Sequence, residues 1–370
     1  MEYRKIGNDS VSLLGFGCMR FPLTADGKID EPEAEKMLKK AIDQGVNYID
    51  TAFPYHNGES EPFVGRTIKK LGREKVFLAT KLPMWKINTM DDVKETFESQ
   101  LVRLQTDYID FYLLHALGKE RWEVVKALDI ISYLVVQKKQ GRIRYIGFSF
   151  HDSYKVFEEI INYFDWDFCQ IQYNYMDIDV QAGDKGYALT KEKNIPLVIM
   201  EPLKGGVLAN LPDEVASEYK LNAPNDSIAS WSLRWLAAHD NIKVILSGMS
   251  TMEQVDDNLK TFSEYKAMTE REMQIVDNVR STIISRVRNS CTGCRYCMPC
   301  PNGVSIPELF RLWNNFGMYG NKEGALARLN NMKEEALPKN CIECGACEAV
   351  CPQGISIIDD LKKLVDEIKN

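Results

Sequence analysis

The sequence predicts an α/β chain in which a (β/α)8, or TIM, barrel is followed by a small cysteine-rich helical domain. Three observations predict it. Over residues 1–285, eight short apolar runs alternate with stretches of helical periodicity. No Gly-x-Gly-x-x-Gly follows the first run, because Gly15-Phe16-Gly17 ends in Cys18, so an open nucleotide-binding sheet is the poorer fit. Eight of the ten cysteines crowd between Cys291 and Cys351. The expected domains are a barrel over 1–285 and a cysteine domain over 286–370. A length of 370 residues agrees, at roughly 150 residues per domain.

The elements follow in order. Residues 2–13 precede the barrel as a hairpin turning at Gly7-Asn8-Asp9. The strand candidates are Leu14–Met19, Tyr48–Ala52, Val76–Lys81, Tyr108–His115, Arg144–Phe150, Phe168–Tyr173, Pro196–Pro202 and Lys243–Gly248. They read as continuous apolar runs, as strands of a parallel sheet covered by helices should. Helical stretches include Glu33–Gln44, Asp91–Leu104, Arg121–Lys139, Ser153–Asn162 and Ser227–His239. Each shows one apolar face, as in Val93, Phe97, Leu101 and Leu104. Past Arg286 the pattern changes, and Pro307–Asn314 and Glu323–Met332 read as short helices between two cysteine clusters.

Composition excludes several classes. Apolar residues at 45% and charged residues at 27% describe a globular chain with a real core, not a disordered or fibrous one. A net charge of −7 offers no basic field for nucleic acid. No segment approaches the roughly 20 apolar residues of a membrane span. The N-terminal Met-Glu-Tyr-Arg-Lys-Ile lacks the apolar core of a signal peptide. The expectation is a cytoplasmic protein, in which clustered cysteines bind metal and do not pair as disulfides.

Spacing sharpens the cysteine chemistry. Cys291, Cys294, Cys297 and Cys300 form C-x2-C-x2-C-x2-C before Pro301. Cys341, Cys344, Cys347 and Cys351 form C-x2-C-x2-C-x3-C before Pro352. Two-residue spacers let three thiolates grip one cubane, while the fourth cysteine, ahead of its proline, ligates the other cluster. Two [4Fe-4S] clusters are therefore expected, one on Cys291, Cys294, Cys297 and Cys351, the other on Cys341, Cys344, Cys347 and Cys300. The first motif is one residue short before Cys300. Zinc is the competing metal, though its ribbons set two cysteine pairs apart by a longer loop. Helices between the motifs suggest the α-helical type of ferredoxin-like domain.

Catalytic groups of such barrels sit at the C-terminal ends of strands. Asp50 ends the second run, with Tyr55 in the following loop; Lys81 ends the third, and His115 the fourth. Together they suit proton transfer. A lysine ammonium near a phenol favours the phenolate and lowers a pKa that is ordinarily about 10. A carboxylate positions the lysine, and a histidine orients a carbonyl.

With these residues in place, residues 2–285 resemble the aldo-keto reductase family, whose Asp, Tyr, Lys and His tetrad is similar to Asp50, Tyr55, Lys81 and His115. Gly147-Phe148-Ser149 is similar to the family's Gly-x-Ser-Asn, and Gln170 to its carboxamide-binding glutamine. Met200-Glu201-Pro202-Leu203 stands where many members stack an aromatic on the nicotinamide. Ser247-Gly248-Met249-Ser250, with Gln254, Asp257 and Asn258, resembles the loop and helix start that hold the adenosine end. The resemblance implies cofactor contacts at Met19, Asp50, Ser149, Gln170, Met200, Pro202, Leu203, Ser247, Gly248, Ser250, Gln254, Asp257 and Asn258. It implies NADP(H) or NAD(H) as cofactor and a small aldehyde or ketone as substrate. The whole chain is similar to the subfamily with a C-terminal ferredoxin-like domain.

The departures are specific. Phe150 replaces the Asn after Ser149, with His151 beside it; Gly248 and Gln254 replace the Lys and Arg that many members aim at a 2′-phosphate. Cys18 and Cys169 read as packed core residues. Substrate loops are expected at Pro83–Thr89, Ala116–Arg121 and Asp177–Gly186; Tyr55, Trp85 and Trp122 are candidate apolar walls, with simple packing the favoured reading of each. Three functions compete. One is a carbonyl reductase whose clusters exchange electrons with a ferredoxin or flavoprotein. Another is an ordinary reductase with structural clusters. The third is a nucleotide-binding electron-transfer subunit without turnover, against which the intact tetrad speaks.

Overall fold

A computed structural model describes residues 1–369. An antiparallel hairpin, β1 (Tyr3–Ile6) and β2 (Asp9–Ser12), precedes eight parallel strands. These are β3 (Leu14–Gly17), β4 (Tyr48–Asp50), β5 (Phe77–Leu82), β6 (Ile109–Leu117), β7 (Ile143–Phe150), β8 (Phe168–Gln172), β9 (Leu197–Met200) and β10 (Ile242–Ser247). They close in sequence order, with β10 pairing β3 and β9. All eight expected strands are present.

The hairpin turns at Gly7-Asn8, with Gly7 at φ 55° under the Tyr145 ring, where a Cβ would lie 2.9 Å from the hydroxyl. Its Ile6 and Val11 pack with Tyr48, Phe111, Phe168 and Val244. Tyr48 and Phe168 open their strands, so the hairpin plugs the N-terminal end of the barrel and leaves the other end for chemistry.

One expected helix divides. Residues 121–139 fall in Lys119–Ala127 and Ile130–Lys139, separated by Asp129 at φ 51°. Aspartate is one of the few residues besides glycine that visit this left-handed region readily, and its carboxylate here accepts a 2.8 Å bond from the Ser132 hydroxyl. Behind β5, Glu61 of the helix Ser60–Leu71 is fully buried. It accepts from the Thr80 hydroxyl (2.6 Å), Gln100 Nε2 (2.7 Å) and Arg103 Nε (2.8 Å).

The chain clusters into two compact units. One comprises residues 1–208 and 229–273, the other 209–228 and 274 onward. The second has its own core, centred on Leu309, Phe310 and Trp313 of the helix Ile306–Tyr319 and Leu361, Leu364 and Ile368 of Ile357–Lys369. Six of the clustered cysteines pack at the edge of that core. Among the described residues no helix is long and apolar enough to cross a membrane.

Candidate active site and cysteine cavities

Strand ends bring the tetrad together. Asp50 closes β4, and Lys81 sits one residue before the end of β5, in register beside β6. Lys81 is wholly buried. Its Nζ donates to both Asp50 oxygens (2.7 and 2.8 Å), to the Thr51 carbonyl (2.9 Å) and to the Tyr55 hydroxyl (3.4 Å). The Tyr55 and His115 rings meet edge-on at 6.5 Å. After Tyr55 the chain passes through three left-handed residues, His56, Asn57 and Gly58, and so turns sharply into the next helix. Backbone held in sparsely populated regions is concentrated at sites of function.

Burial decides the electrostatics. It alone would push the Lys81 ammonium down, but Asp50 and Tyr55 outweigh it and hold Lys81 above its ordinary value. Burial pushes the Asp50 carboxyl up, with Lys81 pulling against it. For Tyr55 the expectation from sequence is overturned. Burial outweighs the neighbouring ammonium and holds the hydroxyl above its usual value, so the phenol keeps its proton. Burial, then Lys81, pushes the His115 imidazole well below its usual range, leaving it neutral with its buried Nδ1 unpartnered.

The nicotinamide candidates converge on neighbouring strands. Ser149 and Gln170 are register partners on β7 and β8, 1% and 2% exposed. Ser149 Oγ accepts from the Ala116 amide at 2.7 Å, and Gln170 Nε2 reaches the Met200 sulfur at 3.5 Å. Gln170 Oε1 is buried with no partner, a vacant acceptor of the kind a carboxamide N–H would fill. Phe150 points away into the core against Phe157, and His151 is exposed beyond it. Pro202 is buried, its carbonyl accepting from Ser232; Leu203 is half-buried.

The adenosine-end candidates form a second group. Asn258 Nδ2 donates to Ser247 Oγ, and the Ser250 amide to Gln254 Oε1, both at 2.7 Å. Gly248, Ser250 and Gln254 are exposed, as is Met19; Asp257 is half-buried on the same helix, Met252–Ser263. These residues fit a nicotinamide dinucleotide, with a closed polar pair at one end and an open loop at the other.

Of the candidate walls, Trp85 lies 4.9 Å from His115 and carries Arg121 over its face at 5.7 Å. Trp122 is instead wholly buried, its indole N–H on Glu159 and its ring against Tyr163, so it lines no pocket. It follows Arg121 on the helix Lys119–Ala127 and turns to the core side. Sequence reading missed Glu61, Gln100 and Arg103. Gln100 Nε2 donates to the Lys81 carbonyl, so this network braces the strand that carries the lysine. Cys18 and Cys169 are buried as expected, with both thiols pushed up by burial.

None of the ten cysteines is paired in a disulfide. Cys291, Cys294, Cys297 and Cys351 line one cavity. Cys300, Cys341, Cys344 and Cys347 line another, with Cys297 also at its wall. The two motifs wrap alike. Gly293 and Arg295 flank Cys294 with positive φ, and Glu343 and Gly345 do the same around Cys344. Buried Asn314 fixes the approach to the first motif by accepting from the amides of Arg288 and Asn289. Among the described residues no three such side chains close on one point that a single ion could share. Four thiols around each cavity, spaced as in the two motifs, suit a cubane.

Comparison with known proteins agrees. The family model described as "Aldo/keto reductase family" matches residues 13–281, and one described as "4Fe-4S dicluster domain" matches 290–355. "Uncharacterized oxidoreductase YqkF" of Bacillus subtilis is 28% identical over 75% of this chain and 96% of its own length. "Aldo-keto reductase yakc [NADP(+)]" of Schizosaccharomyces pombe is 30% identical over 60% of this chain and 68% of its own. The solved holo structure of aldo-keto reductase AKR11C1 from Bacillus halodurans superposes with a TM-score of 0.62 at 28% identity, covering 75% of this chain and 96% of that one. The chain thus belongs to the aldo/keto reductase family, as an NAD(P)H-dependent oxidoreductase that carries a C-terminal 4Fe-4S dicluster domain.

Proposed function

We propose that the protein reduces a small aldehyde or ketone, with Tyr55 as the general acid, and that its two [4Fe-4S] clusters exchange electrons with a ferredoxin or flavoprotein. One observation carries the first part: a phenol that keeps its proton lies 3.4 Å from a buried ammonium. A bound nicotinamide supplies two electrons as hydride to the carbonyl carbon. Tyr55 gives its proton to the carbonyl oxygen, and the phenolate left behind is met by Lys81. Asp50 holds the ammonium in place through two bonds, so no reorganisation is needed as the charge develops. Neutral His115, facing Tyr55, positions the carbonyl without competing for the proton. Ser149 and Gln170, the latter through its unpartnered Oε1, would hold the carboxamide.

In the second unit, Cys291, Cys294, Cys297 and Cys351 would hold one cluster, and Cys300, Cys341, Cys344 and Cys347 the other, each storing a single electron. A flavoprotein partner reconciles single electrons with hydride, since a flavin handles both. A cytoplasmic setting keeps the thiols available.

The test is Tyr55→Phe. It should abolish reduction of a simple aromatic aldehyde while nucleotide binding by calorimetry persists; full activity in this variant excludes Tyr55 as the acid. For the clusters, NADPH is mixed anaerobically with the iron-loaded protein and a flavoprotein reductase. Bleaching of the visible cluster absorbance is expected. No bleaching, with aldehyde turnover intact after iron removal, leaves the clusters structural.

A further inference from the structure

The inference rests on the barrel binding a nicotinamide dinucleotide, and concerns which one. The loop after β10 carries glycine and glutamine at 248 and 254, where a 2′-phosphate would need cations. The missing charge comes from another strand. β3 pairs with β10, Phe16 opposite Ser247, and three residues beyond β3 the chain reaches Arg20. A Cβ built on Gly248 would lie 2.7 Å from Arg20 Cγ and 3.1 Å from Arg20 Cβ. The arginine stem therefore runs through the space in which a side chain at 248 would begin. Gly248 has no left-handed φ that would demand glycine, so this close approach explains the residue. The Ser250 hydroxyl donates to the Arg20 carbonyl at 2.7 Å and ties the two loops together. Arg20 is exposed, and no carboxylate among the described residues pairs with its guanidinium.

We propose that Arg20 recognises the 2′-phosphate of NADPH, replacing a cation at 248, and that Gly248 is glycine so that the arginine stem can cross it. A guanidinium fork matches phosphate oxygens in pairs and stays charged at every working pH. The 2′-hydroxyl of NADH offers it no such partner. Glu253 and Asp257, on the helix that follows, are the groups that would accept from a 2′-hydroxyl instead.

The experiment uses the full chain and direct binding of NADP+, NAD+ and 2′,5′-ADP by calorimetry. The wild type should bind NADP+ at least tenfold more tightly than NAD+, and 2′,5′-ADP should bind on its own. Arg20→Gln should weaken NADP+ and 2′,5′-ADP roughly 10- to 100-fold, the range of one charge-assisted phosphate contact, while leaving NAD+ within about threefold. Arg20→Ala with Gly248→Lys should restore most of the NADP+ affinity, because the cation returns along the path that Arg20 vacates. Equal weakening of NADP+ and NAD+ by Arg20→Gln, a wild-type preference for NAD+, or no change in either overturns the inference while the nucleotide-binding reading stands. A wild type that binds none of the three overturns both.

Discussion

Replacing Lys81 with methionine separates what the buried lysine does for the fold from what it does for the proton. Its Nζ is bonded to both Asp50 oxygens, and Asp50 is 2% exposed. Removing one partner of such a pair strands a buried charge, at a cost of about 3–5 kcal/mol in stability. The same ammonium lies 3.4 Å from the Tyr55 oxygen. With an effective dielectric of about 20, its attraction for a phenolate there is about 5 kcal/mol, which the adjoining Asp50 charge reduces to about 2–4. That corresponds to roughly 30- to 1,000-fold in kcat/KM for aldehyde reduction. The two effects part company in Lys81→Met/Asp50→Asn. Without the stranded carboxylate, stability should return to within about 1–2 kcal/mol of wild type, while turnover stays low because the ammonium is still absent. Urea unfolding followed by tryptophan fluorescence reads the first effect, and steady-state kinetics at saturating NADPH the second. Wild-type kcat/KM in the double variant refutes the electrostatic role of Lys81. A loss under about 1 kcal/mol in the single variant refutes the buried pair.

Three further outcomes are expected. Because burial holds Tyr55 above its ordinary value and His115 well below its own, reduction loses the phenol proton only above about pH 10 and the neutral imidazole only below about pH 6.5. A kcat/KM profile for reduction should be flat between these limits, whereas alcohol oxidation, which needs the phenolate, should rise through them; a limb for reduction near pH 7–8 contradicts the assignment. Crossed ligation predicts that Cys294→Ala/Cys351→Ala loses one cluster, leaving about four irons per chain, and that Cys294→Ala/Cys300→Ala loses both. Iron analysis giving the reverse pattern shows each motif keeping its own fourth ligand. Gly65→Ala should destabilise the barrel by about 1–3 kcal/mol, because its Cβ would lie 2.5 Å from the Arg103 carbonyl oxygen and 2.6 Å from the Leu104 carbonyl carbon. A gain in urea midpoint, the usual result of Gly→Ala at an unobstructed helix position, contradicts that packing.

Much of the barrel was legible because its strands are covered on both faces. A strand such as Leu197-Val198-Ile199-Met200 then carries a continuous apolar run that few other elements imitate. The tetrad was legible for a related reason, since ionisable residues at the ends of apolar runs have few structural uses. The break at Asp129 was not legible. Leu134 and Val136 continue the apolar pattern beyond it, and only the left-handed φ of 51° at Asp129 marks the break. Trp122 is packing, the reading the sequence favoured over a pocket wall: a helix turns successive residues about 100° apart and sends Arg121 toward Trp85 and Trp122 to the core.

Sums of opposed effects are the hardest to read. From sequence, Lys81 beside Tyr55 argues for a lowered phenol pKa, and the Coulomb attraction is indeed present. Its sign is outvoted by burial, a quantity that depends on every residue around the hydroxyl. The outcome changes the chemistry assigned to the lysine. Had it lowered the pKa far enough, Tyr55 would rest as a phenolate, useful for oxidising an alcohol and useless as an acid. With burial dominant, the phenol stays protonated until charge grows on the substrate oxygen, and only then does the ammonium at 3.4 Å have an anion to stabilise. In the proposed mechanism Lys81 would act on the transition state more than on the resting site, so its removal should be felt in kcat more than in substrate binding.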